Sequence, residues 1–241
     1  HKYEETYRQM TTDSLTLLPN RIKLIEDFST QSHQTLVLIY IIGFSHINET
    51  NGYDAGDYVL KELGAFLFSN YSETYKVYHL NNDVFALVTT KEHLESLQNN
   101  VEKIKDDISK FSIVTENFNI HIETTIGVAY QTEDDVLKKA ELALKEARNL
   151  GRNQIKFYSN DLKVIQQIND TNHWAPIIKH AFEHNGIMAY AQPIFNLNDN
   201  SVDKYELLVR IKYNDEVYSP SKFIKAARNS GQVYNIFKFM F

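Results

Sequence analysis

The sequence predicts an α/β fold of the α+β kind: a mixed sheet with helices on its faces. Three observations predict it. Residues 35–42, Thr-Leu-Val-Leu-Ile-Tyr-Ile-Ile, form a continuously apolar, β-rich run, which is how a strand buried on both faces reads. Residues 77–88 place apolar alternation on both sides of a polar centre, Asn81-Asn82-Asp83, which is hairpin chemistry. Amphipathic stretches separate these strands from each other and from later ones, the alternation that builds helices onto a sheet.

Taken in order, residues 2–11 are polar, with Tyr3, Tyr7 and Met10 at helical spacing, and 1–12 reads as a linker helix. Asp13 to Arg21 forms a loop that starts a helix over 22–28. After the strand at 35–42, residues 43–51 read as polar loop or short helix. Val59, Leu60, Leu63, Phe66 and Leu67 mark a helix over 56–69. In the hairpin, Val77, Phe85 and Leu87 share one period-2 face, and Asn suits the positive φ of a tight turn. Leu94, Leu97, Val101, Ile104 and Ile108 form one stripe of a helix over 93–111. Residues 119–130 alternate as one strand, 134–150 are helical up to Gly151, and 154–158 form a last strand. Residues 159–172 are polar and charged and read as a linker helix or loop. A second pattern then follows: helix at 177–182, strands at 187–194 and 202–211 joined by a turn at 196–200, and a helix at 220–229. The second region, 173–241, is too short to close a large barrel alone.

Composition narrows the function classes. A net charge of -6 argues against a nucleic-acid surface while leaving room for a phosphate pocket. No cysteine is present, so there is no disulfide frame or thiolate chemistry. No apolar run approaches the ~20 residues of a membrane span. With no signal-peptide pattern, a cytoplasmic location is expected, and both ends read as interior to a longer parent protein that carries any membrane anchor.

Several motifs in register resemble one family. They are Asp13-Ser14-Leu15-Thr16-Leu17-Leu18-Pro19-Asn20-Arg21; Phe44 with Ile47-Asn48-Glu49 and Gly52; Gly56-Asp57-Tyr58-Val59-Leu60; Asn81-Asn82-Asp83-Val84-Phe85; Ile126-Gly127-Val128-Ala129; and Ala147 to Asn153. Over 13–158 the chain resembles the GGDEF domain of diguanylate cyclases, with a nucleotide-cyclase-like mixed sheet. Tyr190-Ala191-Gln192-Pro193-Ile194 and Tyr205-Glu206-Leu207-Leu208-Val209-Arg210 then resemble the N-terminal part of an EAL domain, a TIM-barrel-like cyclic-di-GMP phosphodiesterase fold, truncated here at 173–241.

The first resemblance implies two GTP molecules joined with carboxylate-bound Mg²⁺, a hard cation that wants an octahedral oxygen shell. It places metal acids at positions here held by Tyr40, Ile42 and Val84, and leaves Asp83 as one ligand, so the Mg²⁺ site is incomplete and no catalytic residue is assigned. Asn81 and Asn82 stand where the signature has glycines. Asn48 and Asp57 are the implied guanine contacts, or else cap helices. Arg148 and Arg152 are the implied phosphate contacts, or else complement a helix dipole. Asp83 is either metal ligand or turn former. The family's Arg-x-x-Asp inhibitory stretch is matched by Ser72-Glu73-Thr74-Tyr75, which has neither residue. In the second part Glu206 matches a metal ligand usable only in a complete EAL domain, or is an exposed strand carboxylate paired with Arg210. Gln192 and Arg210 match dinucleotide contacts.

Three functions compete. One is a non-catalytic regulatory module of a bacterial-type cyclic-di-GMP signalling protein, with GTP or cyclic-di-GMP as ligand and its own EAL domain as partner. The others are an active cyclase with a divergent site, and a scaffold that forms homodimers.

Overall fold

Eight consecutive β-prone residues make the strand on which the first half of the chain is built. The computed structural model describes residues 2–30, 34–81, 83–90, 93–114, 119–132, 135–197 and 200–240. The chain divides into two units, His1–Leu162 and Lys163–Phe241.

In the first unit, β1 (Gln34–Ile41) is buried along nearly its whole length. It lies at the centre of a five-stranded sheet ordered β2-β3-β1-β6-β7, with β2 at Lys76–Asn81, β3 at Val84–Thr89, β6 at Thr124–Thr132 and β7 at Ile155–Phe157. The β6–β7 pair is parallel and the others are antiparallel, so the sheet is mixed as expected. Alternate residues face opposite ways along a strand. Val37, Ile39 and Ile41 therefore enter one core with Val77, Phe85 and Leu87 of the hairpin. That core is closed by α4 (Tyr53–Tyr71), through Val59, Leu60, Leu63 and Leu67, and by α5 (Leu94–Lys110), through Leu97, Val101, Ile104 and Ile108. Leu36 and Leu38 enter the other core with Tyr78, Ala86 and Val88, under Leu24 of α2 (Arg21–Thr30) and Ala140 and Leu144 of α6 (Val136–Leu150). Each large aliphatic buried this way stabilises by ~1.5–3 kcal/mol. Before α2, α1 (Lys2–Thr11) is tied down where the Tyr7 hydroxyl donates to Glu26 at 2.6 Å.

The helix α6 lies very close on β6. A Cβ added to Gly127 would stand 2.3 Å from the Leu144 backbone nitrogen. Gly127→Ala is therefore expected to destabilise the first unit by about 1–2 kcal/mol in urea titration, since backbone cannot swing aside as a side-chain end does. An unchanged midpoint contradicts this packing.

The structure corrects one expectation and sharpens another. Residues 119–130 are not one strand: β5 (Asn119–His121) leaves the main sheet to pair with β4 (Ser112–Val114), and β6 starts after a break at Ile122–Glu123. Of the linker helix or loop read at 159–172, the part from Lys163 is helical: α7 (Lys163–Glu183) runs through it and takes in the helix expected at 177–182, with Pro176 inside. In the second unit β8 (Ile187–Asn196), β9 (Ser201–Tyr213) and β10 (Glu216–Tyr218) form an antiparallel sheet. Trp174, Ile178, Ile211 and Phe223 centre its core, to which α8 (Pro220–Asn229) contributes Phe223 and Ala227, and α9 (Val233–Met240) contributes Ile236. Among the described residues, these strands close no barrel. Also among the described residues, no helix is long and apolar enough to cross a membrane.

Candidate functional site

The strand β1 delivers Tyr40 to the sheet's edge, and Gly43, at φ 70°, turns the chain into α3 (Phe44–Asn51). A side chain disfavours that left-handed backbone, which is why glycine suits the turn. Beside it, the tip of the β2–β3 hairpin is stitched to β1 by the Ile41 amide donating to the Asp83 carbonyl at 2.9 Å. Between these elements lies a pocket of about 580 Å³. Tyr40, Phe44, Ser45 and Asn48 line it from β1 and α3; His79, Leu80, Asn81 and Asp83 line it from the hairpin; Asp13 lines it from the loop after α1.

Neither Asn48 nor Asp57 caps a helix. The N-caps of α3 and α4 are Gly43 and Gly52, with no side-chain capping bond. Asn48 sits inside α3 and its Oδ1 is buried with no hydrogen-bond partner among the described residues. Its amide abuts Gly56, where an added Cβ would stand 1.8 Å from Oδ1. Asp57, next along α4, is exposed. A buried amide oxygen without a partner calls for an explanation, and this one lies where α3 meets α4 beside the pocket.

Arg148, in the last turn of α6, is exposed and its guanidinium lies 4.1 Å from the centroid of the Tyr40 ring. Burial pushes the Asp83 carboxyl up, and the charges of Arg148 and His79 offset only part of that rise. Arg152 goes elsewhere: it pairs with Glu123 at 3.2 Å and is 76% exposed, so the structure does not bring it to the described lining of the pocket. Asn82 lies outside the described residues. Val84 stands beside Tyr40 in register and packs against the core under α6, and Phe85 is fully buried in the opposite core.

The sequence reading missed His79. Its ring is 4% exposed, stacks on Phe85 at 4.5 Å, and its Nδ1 lies 3.0 Å from Asp13 Oδ1. Asp13 also accepts from the Thr16 amide and hydroxyl, both at 2.8 Å. Burial pushes the Asp13 carboxyl up, but the bonds from His79 and Thr16 outweigh it and hold the group below its ordinary value. The only signal was a histidine placed on an otherwise apolar strand.

The carboxylates lining the pocket are Asp13 and Asp83. Asp13 Oδ1 already meets three donors. Tyr40, Ile42 and Val84 offer none, and no group of three or more His, Cys, Asp or Glu is gathered among the described residues. Such a donor set does not fit the oxygen shell that Mg²⁺ demands.

In the second unit, β8 and β9 set Gln192 directly across from Glu206. Arg210, four residues on, shares that face. Its guanidinium lies 5.4 Å from the Tyr190 ring, and its Nη1 donates to the Val209 carbonyl.

The chain matches the family described as diguanylate cyclase, GGDEF domain, over residues 10–154. It is 28% identical over 227 residues to the cyclic di-GMP phosphodiesterase PdeB of Shewanella oneidensis, covering 89% of this chain and 26% of that protein. The chain thus spans about a quarter of that relative's length. Among solved structures it is similar to the coiled coil and GGDEF domain of DgcB from Caulobacter crescentus in complex with c-di-GMP. There the TM-score is 0.58 and the identity 21%, over 65% of this chain and 90% of that one. It is also similar to the S helix-GGDEF-EAL portion of Vibrio cholerae LapD, bound to c-di-GMP. There the TM-score is 0.57 and the identity 15%, over 99% of this chain and 58% of that one. At those identities the solved structures speak for the fold alone. The family match takes in β1, the hairpin and α6, the elements that carry Tyr40, Asp83 and Arg148, and on it the chain belongs to the GGDEF domain family of cyclic-di-GMP signalling proteins.

Proposed function

We propose that the first unit is a non-catalytic regulatory module that binds GTP and biases the activity of an EAL phosphodiesterase domain beginning in the second unit. One observation carries this reading: Tyr40, under the Arg148 guanidinium, occupies the pocket wall where a cyclase needs a metal-binding acid. Joining two nucleotides requires a cation pair to stabilise the transferring phosphoryl group, and this pocket lacks the donors for one.

The groups that recognise a nucleotide without reacting it are in place. Guanine offers N1–H and N2–H donors, and Asn48, on the pocket lining, carries a buried acceptor oxygen without a partner among the described residues. Ser45 and Phe44 bring the first turn of α3 to the pocket, and its amides, uncapped by a side chain, favour an anion. The second unit supports its part through the facing Gln192–Glu206 pair and Arg210 on one strand face. The similarity to PdeB, a protein named as a cyclic di-GMP phosphodiesterase, extends across both units.

Calorimetry with GTP tests the receptor reading. The wild-type chain is expected to bind, and Asn48→Ala to bind about tenfold more weakly, the scale of a lost buried hydrogen bond to the base. Equal affinity in both proteins, or no heat in either, removes the base-recognition role given to Asn48.

A further inference from the structure

We propose that Arg148, seated over the Tyr40 ring, supplies the positive charge at this pocket, so that a nucleoside triphosphate binds here without a divalent cation. The inference rests on the nucleotide-receptor reading above and goes beyond it in naming how the phosphates are met.

The geometry separates two ways of neutralising a triphosphate. A metal needs several oxygen ligands at once, and the carboxylates on the wall are Asp13, already bound to His79 and Thr16, and Asp83, desolvated within the pocket. A guanidinium needs only a surface to rest on. Tyr40 provides it: half-buried on β1, fixed in register between Val84 and Thr125, with the Arg148 Cζ 4.1 Å from its ring centroid. A guanidinium lying over an aromatic ring keeps its in-plane N–H donors free for phosphate oxygens, in the fork geometry that matches them. Arg148 is exposed over Tyr40, a residue of the pocket lining, so a ligand reaches it without unpacking the fold. The phenol that brings no carboxylate to the wall and the arginine that replaces a metal's charge thus form one device. A carboxylate at position 40 would pair with Arg148 and cancel it.

The test is calorimetric titration of GTP into the 241-residue chain, once with excess EDTA and once with excess Mg²⁺. Wild type is expected to bind in both, with dissociation constants within about threefold of each other. In EDTA, Arg148→Gln is expected to weaken binding by about tenfold or more, the scale of a lost charge-assisted contact, and Arg148→Lys by less. Tyr40→Leu, which removes the ring and keeps the arginine, is expected to weaken it severalfold. Binding that vanishes in EDTA and returns with Mg²⁺ overturns the inference and leaves the receptor reading standing. Unchanged affinity in Arg148→Gln overturns it as well. No binding in either buffer overturns both.

Discussion

Phe85→Ala is expected to lower the unfolding free energy by about 4 kcal/mol, the range for truncating a fully buried phenylalanine. Phe85 is 0% exposed and sits in the core formed with Ile39, Leu63 and Leu87. The loss has two parts. The aromatic area returns to water, and the cavity left behind is slow to collapse, because Phe85 on β3 is held in register between Ile39 of β1 and His79 of β2. A third consequence is local: Phe85 is the plate on which His79 stacks, with the rings 20° from parallel. Without it the hairpin loses the support that holds Leu80, Asn81 and Asp83 at the pocket. Urea denaturation followed by far-UV circular dichroism reads the effect. A loss below ~1 kcal/mol would mean that this side chain does not centre the core.

Asp13→Ala is expected to cost about 2–3 kcal/mol, the penalty for leaving buried donors without an acceptor. His79 Nδ1, the Thr16 amide and the Thr16 hydroxyl all lose the same carboxylate. The pair also sets a pH dependence. The folded-state carboxyl titrates below its ordinary value of 3.8. Asp13 therefore contributes stability that is fully present above that ordinary value and is lost as pH falls through the lower folded-state value. Measured from neutral pH downward, the stability gap between wild type and Asp13→Asn should hold to about pH 5 and shrink below about pH 4. A gap that stays constant down to pH 3 or widens there contradicts the pairing.

Local pattern made much of this fold legible. The continuous apolar run at 35–42 announced a two-sided central strand, and β1 is buried against both cores. The stripe at Leu97, Val101, Ile104 and Ile108 announced α5, and those four are its buried residues. What stayed hidden depended on partners distant in sequence. The alternation from 119 to 130 continues straight across Ile122–Glu123, so nothing local marks where β5 peels away to join β4. The helix expected at 177–182 is the end of a 21-residue one that holds Pro176 inside it, where the packing of Trp174, Ile177 and Ile178 outweighs one missing amide. In the pocket, Asn48, Asn81 and Asp83 were reached through a resemblance of motifs. The Asp13–His79 contact was not, since 66 residues separate its members and neither position is unusual alone. Arg152 was paired with Arg148 by the resemblance, yet Gly151 ends α6 between them and Arg152 turns to Glu123.

The most direct measurement is a product assay: the chain incubated with radiolabelled GTP and Mg²⁺, with nucleotide binding and cyclic-di-GMP formation followed in the same samples. The account predicts retained GTP and no cyclic-di-GMP above a protein-free control. Steady accumulation of cyclic-di-GMP that disappears in Asp83→Ala would contradict it.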